Sequence, residues 1–178
     1  SDLSLRALGV RAAVAQIRLG PWGVALAAFP GALAYHAFRR WVELRSDLKE
    51  FVRALSEVLD EVDPYTRHHS VRVAQYSVRL GRAIGLGERD VEDLECAALV
   101  HDLGKIGPQH QHILQKPGAL TVEEQRTMQG HPGAGAAIVR KVRALRRAAT
   151  IVSTHHERPD GHGYPAGLST PEIPVPAR

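Results

Sequence analysis

Apolar positions along this chain recur at helical spacing. Trp41, Leu44, Leu48, Phe51, Leu55, Val58 and Val62 are separated by three, four, three, four, three and four residues, the a/d repeat of a helix with one apolar seam. Two uses of that seam stand side by side: pairing with a second copy, or packing an amphipathic helix on its own domain. Asp63 followed by Pro64 reads as an N-cap and first helical position. Behind it, His69, Val73, Tyr76, Leu80 and Ile84 form a stripe that predicts an inward His69, before Gly85 and Gly87 end the helix. The next helix carries Val91, Leu94, Ala98, His101 and Asp102 on one face, with the polar pair at its C-terminal end. Thr121 to Glu124 is a capping box, and His131-Pro132 opens a further segment. Ala148, Ile151 and Val152 lead into His155 and His156. No stretch alternates as a strand and no repeat appears, so the predicted class is all-α.

The N-terminal pattern differs. Between Arg18 and Arg39 lie twenty residues without Asp, Glu, Lys or Arg, enough for a helix to span ~30 Å of hydrocarbon. Trp22 stands at one end and Tyr35, Phe38 and Trp41 at the other, as interface anchors do. Against this, Pro21, Pro30, three glycines and His36 interrupt the run, which leaves a buried soluble hairpin or part of an upstream domain as the other reading. If it spans, Arg39, Arg40, Arg45 and Lys49 place the downstream residues in the cytoplasm, anchored to the inner membrane. No cleavage site for a signal peptide succeeds the apolar run. The expected organisation is a basic apolar segment over 1–40, a signalling or pairing helix over 41–62, and a domain over 63–178. Beginning at Ser1 and ending in a proline-rich loop at Arg178, the chain is expected to be a fragment of a longer protein.

Charge narrows the partners. Of the formal +4, all the excess lies in residues 1–40, where five arginines face Asp2 alone; residues 41–178 hold eighteen basic and eighteen acidic side chains. A neutral domain with few aromatics is a poor DNA or RNA binder. The single cysteine, Cys96, sits in an apolar run, which excludes an internal disulfide and reads as a small core residue in a reducing compartment.

Candidate chemistry concentrates at six positions. His69, His101, Asp102, His131, His155 and His156 all fall at core-facing or helix-terminal places, whereas His36, His68, His110, His112 and His162 read as surface or loop residues. A lone buried histidine commonly just makes hydrogen bonds. Six such groups in one small helical core would leave several polar atoms unmet unless they share metal ions, which makes a dinuclear centre the simplest account, with Asp102 able to bridge. Lys105 is either a cation for a phosphate ester or a solvated lysine at a helix C-terminus.

At these residues the chain resembles the HD superfamily, in its HD-GYP branch. The matching segments run in order: Asp63-Pro-Tyr-Thr through His69-Ser-Val-Arg-Val, His101-Asp-Leu-Gly-Lys-Ile-Gly107, Ile113-Leu-Gln-Lys-Pro-Gly118, His131-Pro-Gly-Ala-Gly135, and His155-His-Glu-Arg-Pro-Asp-Gly-His-Gly-Tyr-Pro165 with Gly167-Leu168. The resemblance implies an HD-type helical bundle and hydrolysis of the bacterial messenger cyclic di-GMP by a hydroxide bridging two divalent ions, iron or manganese. It implies that His69, His101, Asp102, His131, His155 and His156 are the ligands. Lys105 would contact the scissile phosphate, with Asp102 and Lys105 as the catalytic pair. Gly163, Tyr164 and Pro165 would wall the substrate cleft, although a purely structural loop is the other reading, and Glu157, Arg158 and Asp160 are expected to brace it. Three departures accompany the match. Tyr65 stands where some relatives place a carboxylate for a third metal, so two are expected. The stretch after Lys105 is one residue longer, and the family continues past the arginine matching Arg178 into a helix bearing a last aspartate ligand. An HD-type hydrolase of another nucleotide and a catalytically silent signalling module are the competing readings.

Overall fold

The computed structural model describes residues 9, 10, 13, 21–62 and 69–178. Asp63, Pro64, Tyr65 and His68, and the cap and third-metal expectations resting on them, lie outside the described residues. The chain divides into two compact units, Ser1–Leu48 and Lys49–Arg178. Every described element is helical apart from one isolated antiparallel bridge, Asp160 to Ser169, so the all-α expectation holds.

Helix α1 (Pro21–Val62) is continuous through Pro30. Its portion in the first unit carries exposed Trp22, Leu26, Phe29 and Leu33, with Phe38 stacked on Trp41. Arg39 and Arg40 both pair with Glu43 one turn on. Among the described residues no helix is long and apolar enough to cross a membrane, which corrects the expectation of a membrane helix. Pro21, Gly23, Pro30, Gly31, Tyr35 and His36 dilute the uncharged run below what hydrocarbon demands.

Within the second unit, the end of α1 shows which side of the helix meets its own domain. Val52, Ser56, Leu59 and Asp60 are buried, while the seam residues Phe51 and Val58 stay exposed at 65% and 57%. Lys49 pairs with Glu92 and Glu95, and Arg53 with Glu95. The helix therefore packs through a face beside the heptad seam, leaving much of the seam unused.

Helices α2 (His69–Ala83) and α3 (Glu88–Val100) form the most extensive helix pair. The expected inward stripe on α2 is corrected: Tyr76, Leu80 and Ile84 are 66%, 61% and 58% exposed, and the buried face is Ser70, Ala74 and Gly81. Small residues win that face because the helices approach closely there; a Cβ on Gly81 would stand 3.2 Å from Leu86 and Leu94. Helix α3 meets expectation, with Val91, Leu94 and Cys96 through Val100 buried. A 3₁₀ turn (Leu103–Ile106) comes next, then α4 (Pro108–Leu114), α5 (Val122–Met128), α6 (His131–Val139), a second 3₁₀ turn (Arg143–Leu145) and α7 (Arg146–Thr154). The capping box on α5 forms as read: Glu124 N–H donates to Thr121 and the Thr121 N–H donates to Glu124. Arg147 clamps α7 to the start of α3 through Asp90 and Asp93. The closing segment is anchored by fully buried Ile173 and ends in a short 3₁₀ turn, Val175–Ala177.

Candidate metal centre

Four helix ends converge. α3 runs out into His101 and Asp102, the first residue of α6 is His131, α7 runs out into His155 and His156, and α2 begins at His69. Their donor atoms form two groups, each within 4.8 Å: His69, His101 and Asp102 in one, His131, His155 and His156 in the other. The groups adjoin, since His131 Nε2 lies 3.3 Å from Asp102 Oδ1 and the His101 and His155 rings are 5.2 Å apart.

Three of the imidazoles are held the same way. His101, His131 and His155 each place Nδ1 at 2.7–2.8 Å from the carbonyl three residues earlier, at Ala98, Met128 and Val152. A carbonyl only accepts, so Nδ1 carries the proton and the neutral ring presents an Nε2 lone pair. His131 Nε2 and His155 Nε2 then face each other at 3.3 Å, with the buried Asp102 Oδ1 beside them lacking a hydrogen-bond donor among the described residues. Lone pairs and an anionic oxygen gathered this closely repel one another unless a cation lies among them, so the donor set fits divalent ions.

Electrostatics agree. Burial favours neutral imidazole and pushes His155 down to about 3 and His156 to about 4, leaving both unprotonated and able to ligate at neutral pH. Burial would raise Asp102, but the imidazoles of His101 and His131, each 3.3 Å from one of its oxygens, and the charge of Lys105 outweigh it and hold the carboxyl well below the usual range. Burial would likewise lower His101, yet the carboxylate of Asp102 draws it upward. Lys105 Nζ donates to Asp102 Oδ2 at 2.8 Å and is mostly buried, so it belongs to the centre and is not a solvated lysine.

Two glycines permit this packing. A Cβ on Gly104 would fall 2.0 Å from the His131 carbonyl oxygen, so only glycine lets the turn bearing Asp102 and Lys105 touch α6. At Gly163 a Cβ would stand 2.4 Å from the Arg158 nitrogen. That loop is braced as expected: buried Glu157 accepts from the Ala166 and Leu168 N–H groups, and Arg158 pairs with Asp160. Tyr164 stacks on His156 with centroids 4.6 Å apart, which puts one face of its ring on a donor. Pro165 beside it is exposed. A cavity of about 340 Å³, lined partly by Val73, Leu94, Ala97 and Val152, opens beside His69, His101 and His155.

Other expectations resolve here. Cys96 is buried with its thiol pushed up to about 11, a core residue. His36, His112 and His162 are exposed. His110 is a correction: it is 2% exposed, with Nε2 donating to the Thr127 carbonyl. Sequence reasoning missed it because α4 is a single short amphipathic stretch in which Ile113 at i+3 was the available signal. The i−3 carbonyl brace of the histidines was also missed; the apolar residues before each histidine were its trace.

Comparison with known proteins agrees with this geometry. A model described as HD domain matches residues 53–178. The chain is 37% identical over 131 residues to the 3'3'-cGAMP-specific phosphodiesterase 3 of Vibrio cholerae, covering 74% of this chain and 28% of that protein. It is 38% identical over 139 residues to a cyclic di-GMP phosphodiesterase of Thermotoga maritima, covering 75% and 38%. It is 34% identical over 138 residues to the cyclic di-GMP phosphodiesterase response regulator RpfG of Xanthomonas campestris, covering 76% and 36%. The chain thus spans well under half the length of these relatives.

Proposed function

Because this chain belongs to the HD domain family, in its HD-GYP branch, we propose that it is the catalytic part of a metal-dependent phosphodiesterase that hydrolyses a cyclic dinucleotide. Cyclic di-GMP is the substrate of the first reading. The observation that carries it is the paired donor groups with Lys105 at their edge. His69, His101 and Asp102 would hold one ion and His131, His155 and His156 the other, with iron or manganese as the ions. When bound, such ions activate a water and neutralise charge on the phosphoryl oxygens.

The chain's own residues supply the rest. Asp102 fixes both ligand groups through its two oxygens. Lys105 turns its ammonium to the scissile phosphate, where negative charge grows during attack. Gly163, Tyr164 and Pro165 line the substrate side, and the stack of Tyr164 on His156 keeps that ligand's ring in place. A buried free thiol at Cys96 suits a reducing compartment such as the cytoplasm.

A second substrate reading, 3'3'-cGAMP, is favoured by the name of the Vibrio relative. Incubating the manganese- or iron-loaded protein with each dinucleotide and resolving linear products by chromatography separates the two. Turnover of neither, by a protein of verified metal content, overturns the catalytic proposal. We further propose that the heptad seam over residues 41–62, with Trp41, Leu44, Phe51 and Val58 exposed, pairs with a second copy of the chain.

A further inference from the structure

We propose that Asp60 is a positioning residue, through which the end of α1 sets the place of His69 and so the affinity of one of the two ions; this role rests on the metal-binding reading of the six donors. Outside the metal centre, Ser70 donates its hydroxyl to Asp60 Oδ1 at 2.7 Å, in a buried bond joining residues ten apart in sequence. Asp60 is 6% exposed and Ser70 3%. Among the described residues Asp60 Oδ2 is buried with no hydrogen-bond partner.

A contact kept only for packing would be poorly served by this pair. A buried carboxylate with one oxygen unmet carries a desolvation penalty that an apolar residue would avoid, and the neighbours Val52 and Leu59 show that the same face of α1 accepts apolar side chains. What the pair does supply is direction. Ser70 is the residue after His69 in the first turn of α2, where backbone N–H groups lack intrahelical partners and the helix is least constrained. At about 100° per residue, fixing Ser70 inward on α1 fixes where the His69 ring is aimed. His101 and Asp102 come from α3, so the group that includes His69 is assembled across two helices, and the Asp60–Ser70 bond registers one of them. The other group, on α6 and α7, has no such dependence. The face of α1 bearing Val52, Ser56, Leu59 and Asp60 is thus the route by which displacement of that helix reaches the metals.

The test is a manganese titration of the metal-free 178-residue chain, monitored calorimetrically, with circular dichroism to verify the fold. Two binding phases are expected in the wild type. Ser70→Ala, nearly isosteric, and Asp60→Ala should each weaken one phase about tenfold, the lower end of effects from residues that orient ligands, and leave the other within twofold. Asp60→Asn, which keeps an acceptor, should restore most of that affinity. The double variant should be no weaker than either single one. If both phases weaken together, or melting temperature falls while both affinities hold, the pair is structural and the proposal is overturned. If the wild type takes up no manganese, the metal reading itself falls, and the positioning role with it.

Discussion

At the scale of single residues, the centre depends on groups whose removal has separable consequences. Asp102 touches both donor groups, so Asp102→Asn should lower metal content and reduce turnover by at least about a hundredfold, since even outer partners of metal ligands cost ten- to a hundredfold. Elemental analysis beside a dinucleotide assay checks both. Lys105 stands differently: Lys105→Ala removes a cation from the place where charge develops as well as a hydrogen bond to Asp102, and should cut turnover roughly a hundredfold even in protein brought to full metal content. Gly104→Ala should instead act on folding, because its Cβ would collide with backbone at His131; a loss of roughly 3 kcal/mol in denaturant unfolding is expected. That the six candidate donors lie together was legible in sequence from their residue types at helix ends. His110 was not, because in a helix as short as α4 the single apolar partner Ile113, three residues on, is too little to tell a histidine turned inward from one turned out.

At the scale of elements, legibility tracked the size of the residues that meet. Helix α3 buries large apolar residues where its periodicity put them, and the capping box on α5 forms as its residue types require. Helix α2 reverses the simple rule: its small residues are inside and Tyr76, Leu80 and Ile84 outside, because close approach to α3 rewards the absence of a side chain at Gly81. A hydrophobic stripe cannot reveal that its counterpart face is the better fit. Helix α1 shows the opposite case, two usable faces on one helix. Residues Val52 and Leu59 meet the domain and the heptad positions Phe51 and Val58 do not, so replacing both of the latter with glutamate should leave helix content and melting unchanged within experimental scatter. The same change should abolish self-association in sedimentation velocity. A monomeric wild type at high concentration would remove the pairing proposal without touching the metal centre.

Over the whole molecule, stability, protons and metal ions are linked through the same imidazoles. In the metal-free protein His155 and His156 are held down to about 3 and about 4 by burial, against an ordinary value near 6.5 in an unfolded chain. Above about pH 6.5 both are neutral in either state and contribute no pH dependence. As pH falls from about 6.5 toward about 4 the unfolded chain takes up protons that the folded chain refuses, so their contribution to stability is progressively lost. His101 runs the other way: its affinity for protons is raised in the fold by Asp102, so the stability it contributes is fully present below 6.5 and is lost as pH rises through its raised value. It therefore offsets nothing in the acid window, and the melting temperature of the metal-free protein should drop steadily between about pH 6.5 and about pH 4. Manganese at a hundredfold the dissociation constant of each site should add about 2.7 kcal/mol per ion near neutrality, because it binds the folded chain alone. Protons compete across this window for His101, whose proton affinity is raised, but reach the Nε2 lone pairs of His155 and His156 only below about pH 4, so part of that increment should shrink with acid while the rest persists to about pH 4. Melting curves with and without manganese across this range check the linkage. An increment that vanished entirely well above pH 4 would mean that neither ion is held by His155 and His156.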